Sequence, residues 1–142
     1  MRSWGEWWLV ARAAALIAVF TLTRPLPYAA WRRLAVAFSR FRAGAPGIPI
    51  APGRIVRALN TASRVVPGGG NCLIRALTAR ALLARHGLES EILMGVARGP
   101  SGSLRAHAWL RHDGHLLVGV EGITGYVPMP LPPGHDFTPQ LR

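Results

Sequence analysis

GGGNCLIRALTARALLARHG, residues 68–87, decides the fold, because a run of glycines gives way there to an unbroken helical stretch with the chain's one cysteine, Cys72, at the junction. A helix is predicted over 72–86, with Gly87 as its C-cap. Upstream, RIVRALNTASRVVPGGG (54–70) sets Ile55, Val56 and Leu59 at helical spacing and ends in Pro-Gly punctuation. Downstream the period changes. SEILMGVAR (90–98), SLRAHAWLR (103–111) and HLLVGVEG (115–122) are short apolar-rich runs divided by GPSG and DG, which are hairpin signals. The pattern implies an α+β fold: helices packed on one face of a small antiparallel sheet.

The N-terminal stretch WWLVARAAALIAVFTLTRP (7–25) calls for a decision between signal peptide, membrane span and ordinary helix. A signal peptide needs small residues at its cleavage site, but Arg24 and two prolines stand there, followed by more basic residues. A spanning helix needs about 20 apolar residues, and Arg12 interrupts this run before Arg24-Pro25 ends it. The expectation is an apolar helix packed on the domain or on a partner, with membrane-surface contact as the alternative. YAAWRRLAVAFSRFR (28–42) has the period of a basic amphipathic helix, and AGAPGIPIAPG (43–53) reads as a linker. The chain thus divides into an N-terminal helical segment with linker over 1–50, a core over 51–130 and a Pro-rich tail over 131–142. YVPMPLPPGHDFTPQLR, which leads into that tail, holds too much proline for regular structure.

A length of 142 residues fits one compact domain. One cysteine excludes an intramolecular disulfide framework and a zinc site built mainly from thiolates; a reduced thiol in the cytoplasm is expected. All 17 basic residues are arginine, set against six carboxylates, for a formal charge of +11. Such a surface attracts acidic partners.

Cys72 falls in the first turn of its helix, where unpaired N–H groups and the positive end of the helix dipole favour a thiolate and could hold an oxyanion. Gly70 and Asn71 border that place, and small residues there allow a substrate backbone to approach. His107 lies within RAHAWLR, where alternation sets it with Arg105, Trp109 and Arg111 against Ala106, Ala108 and Leu110. On a central strand it is the candidate base for Cys72. For the group that orients the imidazole, a two-residue Asp113-Gly114 turn puts Val120 opposite His107, and a three-residue loop puts Gly119 there. Glu121 lies one residue further and faces away unless a bulge near Gly119 rotates it back. Glu121 is therefore ranked first, Asp113 a distant second at roughly 20 Å along the strand, with a backbone carbonyl or Asn71 as further alternatives. His112 and His115 flank the turn without a well-placed acidic ligand, so no metal is expected. Arg75, Arg80 and Arg85 read as solvated helix surface.

Taken together, NCLIRALTARALLARHGLESEILMGVAR and LRAHAWLRHDGHLLVGVEGITGYVPM resemble the transglutaminase-like leader peptidases of lasso-peptide biosynthesis, over about residues 54–129. The shared features are the Cys-Leu-x-Arg-Ala-Leu helix start, the Gly-x-x-x-Glu passage into a strand, the AHAW strand, the DG turn and the closing YVP. The resemblance implies a papain-like or transglutaminase-like core in a cysteine peptidase that removes the leader from a ribosomally made precursor. A separate ATP-dependent macrolactam synthetase then closes the ring. Cys72 corresponds to the nucleophile and His107 to the base; the family's third residue is an acid on the following strand, where this sequence has Gly119 and Val120. The chain is similar to stand-alone members that rely on a small leader-recognition protein, its basic N-terminal helices meeting that partner or the precursor leader. No cofactor and no nucleic acid is implied. Two alternatives use the same residues differently: a basic membrane- or nucleic-acid-associated adaptor with a structural Cys72, and an enzyme that transfers the acyl group to an amine.

Overall fold

The computed structural model describes residues 4–23, 25, 27, 29, 30, 33, 50–67, 69–121 and 123–129. The basic helix expected over 28–42 lies largely outside them, as do residues 43–49 of the linker and the tail from 130 onward. Among the described residues the chain runs through α1 (Trp4–Leu22), α2 (Pro52–Val65), α3 (Cys72–Arg85), β1 (Glu91–Arg98), β2 (Leu104–His112), β3 (His115–Val118) and β4 (Val127–Pro128). This is the expected α+β arrangement, helices first and then an antiparallel sheet in the order β3-β2-β1-β4.

The boundaries of α2 and α3 have local causes. α2 begins with Pro52 in its first turn, where the missing N–H costs nothing. It ends before Pro67, which holds Val66 in an extended conformation. The start of α3 is fixed by Asn71, whose Oδ1 accepts from the amides of Leu73 at 3.0 Å and Ile74 at 3.2 Å; loss of such a cap costs about 1 kcal/mol. At the other end Gly87, at φ 72°, donates to Ala84 O while Leu88 donates to Leu83 O. Those two bonds complete a Schellman motif, as the glycine's position predicts.

The core forms around α3. Ile74, Ala76, Leu77, Ala79, Leu82 and Leu83 are buried with Ile55, Leu59 and Ala62 of α2, and with Ile92, Ala108, Leu110 and Val118 of the sheet. α1 adds Leu9, Ala13, Ile17 and Phe20, a stripe at helical spacing, so this apolar helix is built into the core. It is also the one described helix long and apolar enough to cross a membrane, and its other faces leave Trp4, Trp7, Trp8 and Leu22 exposed. Arg75 departs from its reading as solvated surface: half-buried, it donates from Nη2 to Asn60 Oδ1 at 2.7 Å, tying α3 to α2.

In the sheet, Asp113 and Gly114 form the two-residue β2–β3 turn with φ of 48° and 75°, the positive values of a type I′ turn. Irregular structure was expected through Tyr126–Met129, and there the structure differs. Val127 and Pro128 pair with Val96 and Gly95 on the free edge of β1, and Met129 N–H donates to Met94 O. Proline is tolerated on an edge strand because no ladder donor is needed from it on the outer side.

His86, which caps α3, has its pKa held below the ordinary histidine value by burial first and then by the positive charges of Arg12 and Arg85. Its buried Nδ1 has no hydrogen-bond partner among the described residues. With the folded pKa below the unfolded one, the unfolded chain takes up the proton first as pH falls, so stability declines below about pH 6.5. Thermal melts at pH 7.5 and pH 5.5 are expected to show a lower midpoint at the acidic value, with the difference reduced in His86→Gln.

Candidate active site

Cys72 is the first residue of α3, half-buried against the helical core and free of any disulfide. Of the N–H groups that open the helix, those of Leu73 and Ile74 are taken by Asn71 Oδ1. The amide of Cys72 itself is not taken by that cap, and the Asn71 carboxamide serves its own helix. The glycines before it have separate roles. A Cβ on Gly69 would lie 2.5 Å from the Ser63 carbonyl oxygen and 2.6 Å from Ser63 Cα, so Gly69 is a close approach to α2. Gly70 is exposed, with nothing within 4 Å of the corresponding position, and it alone of the two leaves room for a substrate.

His107 sits in the middle of β2, opposite Gly95 of β1. Ala108 and Leu110 are the β2 residues in the helix-backed core, and His107 and Trp109 alternate with them. The His107 ring lies 5.9 Å from the Trp109 ring and 5.2 Å from that of Tyr126, centroid to centroid. Its Nε2–H donates to the Gly119 carbonyl at 2.8 Å. The structure places α3 against β2 but draws no hydrogen bond between Cys72 and His107.

A bulge of the kind that could rotate Glu121 back does occur, two residues before Gly119. His112 pairs with His115, yet Leu110 pairs with Val118, so Leu117 is the extra residue and the register shifts by one. Continued, that register would bring Glu121 opposite His107. The strand instead ends at Val118; Gly119 turns away at φ 81° and Glu121 is exposed. Asp113 stays in the turn, where its carbonyl accepts from His115 Nδ1 at 2.8 Å. His112 donates from Nδ1 to Glu89 O at 2.5 Å, and Arg111 pairs with Glu91 across the strands. Tyr126 is the ring neighbour that reasoning from the sequence missed. Nothing local marks it, because its position depends on β4 returning beside β1.

A family model described as Transglutaminase-like superfamily matches residues 9–130. No curated protein and no solved structure gives a significant match.

The two glycines separate packing from substrate access. Gly69→Ala is expected to lower stability by about 1–3 kcal/mol, since a backbone rather than a flexible side chain must move. Gly70→Ala should leave the urea midpoint unchanged, which a pair of denaturation curves would show.

Proposed function

This chain belongs to the transglutaminase-like superfamily, and from that premise we propose that it is a cysteine peptidase that removes the leader from a ribosomally made precursor during lasso-peptide maturation. The superfamily is one of cysteine peptidases and acyltransferases. The observation that carries the cysteine-peptidase chemistry is Cys72 itself: a half-buried free thiol at the first position of a capped and mostly buried helix.

The bound Nε2–H of His107 leaves Nδ1 as the neutral ring's lone pair, the atom suited to take the thiol proton. The reading requires His107 Nδ1 to reach the Cys72 thiol in the substrate complex, where catalytic hydrogen bonds tighten. The sulfur then attacks the scissile carbonyl carbon, and the oxyanion faces the Cys72 amide. His107 returns its proton to the departing amine as the C–N bond breaks, leaving a thioester. Water, deprotonated by His107, attacks the thioester and releases the leader's carboxyl end and the free thiol. No cofactor takes part in these steps.

The resemblance of the helix start and the AHAW strand to leader peptidases supports the substrate assignment. The +11 charge supports acidic surfaces on the precursor or on a small recognition protein. The macrolactam synthetase would act on the peptide so released. Exposed Trp4, Trp7 and Trp8, with the Arg12 guanidinium 4.9 Å above the Trp8 ring, support contact of α1 with a membrane surface as an accessory role in the cytoplasm. Acyl transfer to an amine uses the same thioester and is the second reading.

Incubation of the full chain with a precursor peptide and its recognition protein, followed by mass analysis, tests the assignment. Cys72→Ala and His107→Ala are expected to remain folded and to lose activity by at least about 10²-fold. A leader carboxylate marks hydrolysis, and an amine adduct marks transfer. Full cleavage by Cys72→Ala would end the peptidase reading and leave Cys72 a structural residue.

A further inference from the structure

We propose that the backbone carbonyl of Gly119 takes the place of the missing carboxylate and holds His107 in the tautomer with Nδ1 free, so that Gly119 is the positioning residue of the pair. The inference rests on the peptidase reading and adds to it the identity of the third member. A carbonyl oxygen only accepts. At 2.8 Å from His107 Nε2 it requires the proton on that nitrogen, and the opposite nitrogen is then the base.

Several independent features direct that carbonyl to the ring. The type I′ turn and the extra residue Leu117 set the register in which Val118 is the last paired residue of β3. Gly119 then takes φ 81°, a value that side chains disfavour, with its carbonyl on the imidazole. A Cβ there would stand 2.6 Å from the Ala108 carbonyl oxygen and 3.0 Å from Trp109 Cα, so no residue but glycine fits without moving β2. The ring has aromatic neighbours in Tyr126 and Trp109, and Trp109 in turn lies across Gly95, where a Cβ would stand 2.6 Å from the indole. Gly119 is buried and Glu121 exposed, and the ring's hydrogen bond goes to the neutral carbonyl.

A carboxylate orients an imidazole and also stabilises its protonated form by charge; a carbonyl does the first with only a partial charge for the second. Orientation therefore carries the effect.

Long-range proton–nitrogen NMR of the full chain, with histidine labelled in both ring nitrogens, tests this directly. The wild type at neutral pH is expected to show His107 with protonated Nε2 and bare Nδ1, and Glu121→Gln should show the same tautomer. Gly119→Ala should give mixed tautomers and a fall in kcat of roughly tenfold or more with little change in KM. A wild-type ring protonated at Nδ1, or a tautomer that switches in Glu121→Gln, would overturn the proposal. If Gly119→Ala does not fold, the other two spectra still decide it. Unimpaired cleavage by Cys72→Ala would instead remove the peptidase reading while leaving the tautomer result intact, so the two failures are distinguishable.

Discussion

The burial of α3 is the constraint on which the rest depends. It packs against α1, α2 and the sheet, and eight of its 14 residues are buried. A helix enclosed in this way cannot slide or fray without exposing core, and its start is further held by the Asn71 cap. Cys72, the first residue of the helix, thus inherits its rigidity from the core behind it, while its own side chain stays only half-buried. One element supplies both stability and the place where chemistry is possible.

The sheet contributes by a different principle. Its register is set by a two-residue turn, altered by one extra residue and ended by a glycine in a left-handed conformation. Each step moves the groups near His107 by one position, and a one-residue shift in a strand exchanges its two faces. The consequence is a histidine whose partner is main chain. Because that partner is a backbone oxygen, residue identity at 119 matters through the absence of a side chain rather than through a functional group.

α1 shows how one composition can serve two environments. Its mean hydropathy of 1.4 satisfies a membrane criterion, yet Leu9, Ala13, Ile17 and Phe20 are core residues of the domain. The tryptophans near its N-terminus remain outside that core. Hydropathy summed along a helix does not distinguish these faces; periodicity and packing do.

Much of this was legible in the sequence because its causes are local. The Pro-Gly stop after α2, Gly87 and the Asp113-Gly114 turn each act within a few residues, and with the change of period after Gly87 they were enough for the α+β class and the placing of Cys72 and His107. Three features were decided by the tertiary structure. β4 forms because the edge of β1 offers unpaired groups to a segment whose prolines argue against a strand; Arg75 is drawn from solvent by Asn60 on a neighbouring helix; and the acceptor for His107 depends on a bulge and on the path of the chain after Val118. Backbone carbonyls are the same at every residue, so no sequence can mark the one that a fold will point at a histidine.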